Sequence, residues 1–204
     1  MYIPDAFAVA DEATLREFIA AHGFAMLVTA DADGPSASHV PVVYEPDRDS
    51  LLLHVAAANP HAKLSDGERV LVVFIGPHAY VSPAWYASHP AVPTWNYAAV
   101  HVYGRSRRMQ KDQLRALLAK LVATYEPRGS SWKMGALPDA YMEKMLSGIA
   151  GFEIAIERME GKFKLSQNRD AADRRRVIAA LSESAGTGDR ALAEFMSRHA
   201  APSD

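Results

Sequence analysis

Two stretches of this chain carry residue types that could do chemistry. The first is SASHVPVVYE at 36–45, followed by LLLHVAAANPHAK at 51–63. Side chains alternate faces along an extended strand, so Ser38, Val40 and Val42 point one way and His39, Pro41 and Val43 the other. His54 stands in an otherwise apolar run that leads into a series of alanines. Small residues let a backbone come close to a flat ligand. Asn59 and Lys63 follow in the loop, where donors can converge on an anion, and a lysine ammonium is a mobile point charge suited to phosphate. Lys63 taken alone reads equally well as a solvated surface lysine. Pro41 cannot donate to a ladder. Its strand is therefore an edge there, carries a bulge, or turns its backbone toward something other than a partner strand.

The second stretch is HPAVPTWNYAAVHVYG at 89–104. It puts Trp95, Asn96, Tyr97, His101 and Tyr103 on one extended, nearly uncharged segment. A core strand needs only Val, Ile and Leu. Aromatic and polar groups at this density call for a hydrogen-bonded core or a bound group. Trp and Tyr are also enriched in interfaces, so a dimer core explains the same stripe.

The elements that must position these residues follow from periodicity. Residues 11–21 predict a helix, with Leu15, Phe18 and Ile19 on one face, acids in its first turn and Gly23 as its stop. Strands are expected at 24–30, 36–45, 51–57 and 69–76, joined by turns and one longer loop. A proline-rich aromatic loop with a short strand at 79–82 comes next, then a strand at 94–103. Leu114, Leu117, Leu118 and Leu121 predict an amphipathic helix over 107–126. A shorter helix is expected at 138–149, with Pro138 in its first turn. A last strand or hairpin spans 151–165, and two helices, 170–184 and 189–199, close the chain. Consecutive strands linked by turns argue for an antiparallel sheet, and their number and spacing favour a small barrel or a strongly curved sheet. The fold class is α+β, a single domain over 1–204, with barrel strands at about 24–105 and 151–165 and helices at about 11–21, 107–126, 138–149 and 170–199.

Composition removes several function classes. There is no cysteine, so disulfides, thiolate catalysis and sulfur-ligated zinc are out. The formal net charge of -2 gives no general attraction to phosphate backbones. No apolar run reaches the roughly 20 residues of a membrane span, and the N-terminal MYIPDAFAVADE lacks the layout of a secretion signal. A cytoplasmic location with no membrane partner is the expectation. No Rossmann or P-loop glycine pattern, G-x-S-x-G elbow or H-E-x-x-H motif occurs. The histidines have no helical metal-ligand spacing, although strand histidines can still converge across a sheet.

MYIPDAF, SHVPVVYE, HVAAANPHAK, VFIGPHAYVSPAWY, VPTWNYAAVHVYG and KLSQNR occur in this order along almost the whole chain. Together they resemble the PaiB-type family, the FMN-binding negative transcriptional regulators. The resemblance implies an FMN-binding split β-barrel, related to the pyridoxamine-phosphate oxidase-like flavoproteins, in a homodimer with FMN at the subunit interface. It further implies that Ser38, His39, Asn59 and Lys63 hold the phosphate. The ring would lie against backbone around Val40, Pro41 and Val42, near His54. Trp95, Asn96 and Tyr97 would form a ring-contacting or cross-subunit strand, and Lys164, Ser166, Gln167 and Asn168 a segment reaching the partner's flavin. His39 stands where several relatives have arginine, so its charge at neutral pH depends on its surroundings.

Three functions follow. One is a flavoprotein, redox-active as a flavin-dependent oxidoreductase or regulatory, in which the isoalloxazine supplies the chemistry and the protein orients it. His54, His78 and His101 are then the candidate proton donors. The second is a DNA-binding repressor using the closing helices, where Arg174, Arg175 and Arg176 are offset by Asp170, Asp173 and Glu183. Against it, AGTGD looks longer than the usual helix-turn-helix turn of about 3 to 4 residues. The third is a haem-binding or haem-degrading protein on the same barrel.

Overall fold

The computed structural model describes residues 1–199. Its strands are β1 (Ala8–Val9), β2 (Phe24–Asp31), β3 (Gly34–Glu45), β4 (Ser50–Ala56), β5 (Arg69–Val81), β6 (Thr94–Arg108) and β7 (Ile149–Lys164). The helices are α1 (Glu12–Ala21), α2 (Lys111–Tyr125), α3 (Asp139–Ser147), α4 (Ala171–Glu183) and α5 (Thr187–Arg198). The strands form one sheet in the order β1-β7-β4-β3-β2-β5-β6, and β6 also pairs with β7. The registers of β1–β7, β2–β3, β2–β5, β3–β4 and β4–β7 are all antiparallel.

Four boundaries differ from the sequence expectation. β5 runs unbroken to Val81 instead of stopping at Gly76. Its alternation of buried and exposed residues slips by one at Pro77–His78. That slip is how a bulge accommodates a proline inside a strand. β6 continues to Arg108, because Ser106 exchanges backbone hydrogen bonds with Gly67 and Glu68. α2 accordingly starts later, where the Gln113 side chain accepts from the Gln110 N–H at 2.8 Å. α5 starts at Thr187, so only Ser184–Gly186 separates it from α4. The Ser184 hydroxyl holds this short turn by donating to Asp189 at 2.5 Å. The turn-length objection to a helix-turn-helix therefore fails.

The chain's contacts group into two compact units. One comprises 19–74 and 101–159; the other comprises, among the described residues, 1–18, 75–100 and 160–199. In the first, Leu27, Val42, Leu51, Leu53, Phe152 and Ile154 form a nearly fully buried sheet face. Leu52 lies on the opposite face, beneath Leu114, Leu117 and Leu121 of α2 and Leu146 of α3. Burying each of these side chains contributes about 1.5–3 kcal/mol. Gly104 lets β6 approach β7, since a Cβ there would lie 2.2 Å from the Ala155 carbonyl oxygen.

The second unit is built around rings. Phe163 lies 5.1 Å from Phe18 and 5.1 Å from Phe195, whose ring stacks on His199 at 4.1 Å. Leu192 and Met196 of α5 and Val177 and Leu181 of α4 are buried, which makes both helices amphipathic. The aromatic loop after β5 is pinned to α4. The Ala87 N–H donates to Asp173 Oδ1 at 2.6 Å, and the Arg169 guanidinium lies 4.4 Å from the Tyr86 ring centre.

Candidate functional site

β3 is paired on its two sides over different lengths. Gly34 to Pro41 pair with β2, whereas pairing with β4 covers only Val42 to Glu45. β4 carries on as far as Ala56, but beside β7. The two strands part company at Pro41, the residue that cannot donate. The Val42 N–H donates to Gly23 O at 2.7 Å, so Val42 faces β2, and alternation turns the backbone groups of Ala37, His39 and Pro41 toward the open side. The Val40 and Val42 side chains are both 3% exposed. They belong to the core, and only backbone from this stretch is free to face a ligand.

Beside the open edge, Asn59, Pro60 and Lys63 form a tight turn. Asn59 Oδ1 accepts from the His61 N–H at 2.8 Å, and Pro60 sets the first dihedral of the turn. With its oxygen so engaged, Asn59 presents its amide nitrogen, which donates to Ser38 Oγ at 2.9 Å. His61 is 3% exposed, and its ring reaches under β3 and β2. Its Nδ1 lies 2.7 Å from Ser38 Oγ and its Nε2 3.0 Å from Thr29 Oγ1. Burial pulls this imidazole below its usual range, against the opposing pull of the Glu68 carboxylate and a backbone bond to Ser36.

Lys63 ends the turn exposed, with no hydrogen bond or ion pair to any described residue. His39 is exposed on the other face of β3, its ring centre 6.2 Å from that of Phe24, which is itself largely exposed. Ser38 and Asn59 are thus joined beside β3, Lys63 ends the same turn, and His39 lies across the strand from Ser38. His54 is not part of this group. The Leu53–Val42 pairing puts Leu53 on the Ser38 face, so the next residue, His54, shares the α2-covered face with Leu52. Its Nδ1 is buried without a partner among the described residues, and burial lowers its pKa.

The remaining candidates lie in the second unit and are held by its own chain. Lys164 Nζ donates to Thr94 Oγ1 and to the Trp95 carbonyl, the latter at 2.8 Å. Burial, then the neighbouring Lys162 charge, lower its pKa. Gln167 accepts from the Leu165 N–H at 2.6 Å and donates to the Phe163 carbonyl, closing the end of β7. Asn96 is fully buried and donates to Ser166 Oγ at 2.8 Å, while its Oδ1 finds no donor among the described residues. Ser166 has a left-handed φ of 64°, a conformation that costs a non-glycine residue about 1–3 kcal/mol. The Trp95 ring is half exposed, with Tyr80 at 6.2 Å edge-on and His78 at 6.5 Å.

Sequence reasoning assigned no role to His61, Thr29 or Phe24. Only the ANPHAK turn signal, with its asparagine cap before proline, hinted that His61 would be rigidly placed.

The geometry defines an α+β scaffold, an antiparallel sheet with one strand edge open beside a polar turn. The comparisons with solved structures agree on the fold. The FAD and heme binding protein of Mycobacterium smegmatis superposes with a TM-score of 0.61 at 16% identity, over 85% of this chain and 79% of that one. The flavocytochrome Anf3 of Azotobacter vinelandii gives 0.59 at 15% identity, over 82% and 74%. The chain belongs to the family described as "Putative FMN-binding domain", which matches residues 1–158. Among its relatives is protease synthase and sporulation protein PAI 2 of Bacillus subtilis, 36% identical over 96% of each chain. An uncharacterized protein of Emericella nidulans is 31% identical over 92% of each. Membership supports flavin binding and agrees with the PaiB-type motifs. No helix among the described residues is long and apolar enough to cross a membrane.

Proposed function

We propose that this protein binds FMN along the open edge of β3 and does so as a homodimer. The observation that carries the reading is the end of β3–β4 pairing at Val42, next to a turn that presents an unpartnered Lys63. Ser38 and His39 point to opposite faces of β3, so both can reach one phosphate only if it sits at the strand's edge. The Asn59 amide meets Ser38 at that edge, and Lys63 closes the same turn. The free backbone groups of Ala37, His39 and Pro41 suit the hydrogen-bonding rim of an isoalloxazine, and the exposed Phe24–His39 pair offers a flat wall. When bound, the flavin supplies redox capacity; the chain supplies orientation and a charge match for the phosphate.

The exposed Trp95, Tyr80 and His78 rings form the surface assigned to the second subunit. Lys164, Gln167 and the Asn96–Ser166 pair shape the segment behind it. Titrating apo-protein with FMN, read by quenching of flavin fluorescence, tests the reading. Saturable quenching is expected, and flat fluorescence at excess protein overturns it. Sedimentation at micromolar concentration should give a dimer, which substitution of Trp95 by Glu should weaken.

A DNA-binding role is a second reading, favoured by the three-residue turn Ser184–Gly186. Exposed Arg175 and Arg176 on α4 offer phosphate contacts. Retardation of a random duplex at low salt would support it, and its absence would leave regulation to indirect routes.

A further inference from the structure

The hydroxyl of Ser38 has one hydrogen and two lone pairs. Asn59 Nδ2 occupies one lone pair, an assignment fixed because Asn59 Oδ1 already accepts from the His61 N–H. What remains is the 2.7 Å contact with His61 Nδ1 and a longer 3.3 Å approach to Asn59 Oδ1, whose oxygen already accepts from the His61 N–H. If Nδ1 is bare, Ser38 must donate its hydrogen to it, and the hydroxyl has nothing left to offer a ligand. If Nδ1 carries a proton, it donates to the second lone pair, and the Ser38 O–H keeps only the long 3.3 Å approach to Asn59 Oδ1, a weak acceptor that a phosphate oxygen can displace. Thr29 completes the circuit, since its hydroxyl can donate to or accept from Nε2 at 3.0 Å. The network therefore has two states that differ by one proton position.

We infer that His61 is a positioning residue for a phosphate monoester: a proton on its Nδ1 frees the Ser38 hydroxyl hydrogen for donation to the phosphate oxygen. The inference rests on the flavin reading above and names the group that sets its phosphate preference. An anion at Ser38 selects the Nδ1–H state, because only that state donates to it. The charged surroundings of the ring are mixed. Glu68 acts on it from the following loop, Lys63 ends its own turn, and Arg108 of β6 holds the Ala62 carbonyl at 2.7 Å. β2 and β3 present Thr29, Ser36 and Ser38 to it. His61 touches no phosphate itself.

The test compares FMN with riboflavin, which lacks the phosphate. The nitrogen of an asparagine amide sits where Nδ1 does, and that of a glutamine amide where Nε2 does. His61→Asn therefore keeps the donor to Ser38, and His61→Gln keeps only the Thr29 contact. Ser38→Ala should cut the preference for FMN over riboflavin roughly tenfold, the worth of one hydrogen bond to a charged group. Wild type, His61→Asn and His61→Gln are expected to favour FMN by a similar ratio, since the first two donate to Ser38 and the third no longer takes its hydrogen. A wild-type ratio in Ser38→Ala overturns the inference and leaves flavin binding intact. If neither flavin binds, both readings fall. Nitrogen NMR of histidine-labelled wild type needs no folded variant: saturation with FMN must leave a proton on His61 Nδ1, and a bare Nδ1 overturns the proposal.

Discussion

Lys63 and Lys164 are the same residue type and are both expected from the sequence to reach a flavin, Lys63 at its phosphate and Lys164 on a segment approaching a partner's, and the protein treats them in opposite ways. Lys63 stands at the end of a tight turn, exposed and without a side-chain partner among the described residues, in the turn whose Asn59 meets the open edge of β3. Lys164 is half-buried against Thr94 and the Trp95 carbonyl. The contrast extends to their neighbours. Around Lys63 the polar groups form a relay that ends at the open edge. Around Lys164 the Gln167 amide and the Asn96–Ser166 bond bind the chain to itself. A cation held ready for an anion must stay unpaired, and one that shapes a turn must not. Availability, more than residue type, separates a binding region from a scaffold.

The largest effect that could break this contrast is on affinity. Lys63→Ala should weaken FMN binding by roughly tenfold or more, the loss of a charge-assisted bond, and leave the unfolding midpoint unchanged. Lys164→Ala should do the reverse. If Lys164→Ala weakens FMN as much as Lys63→Ala without loss of stability, the contrast is wrong. Next comes Asn96→Ala. It removes a buried hydrogen bond that braces the left-handed Ser166, and should lower the unfolding free energy by about 1–3 kcal/mol in denaturant titration. Gln167→Ala removes two bonds to the end of β7 and should lower it by about 1 kcal/mol.

The smallest effect is on pH dependence. Burial lowers the His54 pKa below its unfolded value of 6.5. The unfolded chain therefore takes up that proton first, and stability falls as pH drops below 6.5. His61 adds a loss of the same sign. His54→Gln should shrink the difference in unfolding free energy between pH 7.5 and 5.5. An unchanged difference would show that His54 does not titrate differently in the two states.

Much of the sheet was legible because alternation and turn residues are local signals. Pro41 announced an interruption in pairing by the absence of its N–H, and β3–β4 pairing ends beside it. β5 was harder to read. Gly76 and Pro77 look like a stop, but buried Ala79 and Val81 carry the strand on after a one-residue slip. The length of the α4–α5 turn was misjudged because AGTGD has turn composition, whereas Thr187 and Gly188 already belong to the helix.

The sequence by itself determined an antiparallel α+β chain, a polar turn after β4, and a family whose motifs it carries in order. These depend on residue types and short spacings, which local sterics and periodicity translate directly. Only the tertiary structure decided that His61 lies between Ser38 and Thr29, that His54 sits on the opposite face of the sheet, and that Lys164 is occupied while Lys63 is not. Those outcomes depend on which strands become neighbours and at what register. A hydrogen bond between residues 32 positions apart, such as Thr29 to His61, exists only once the chain between them has folded.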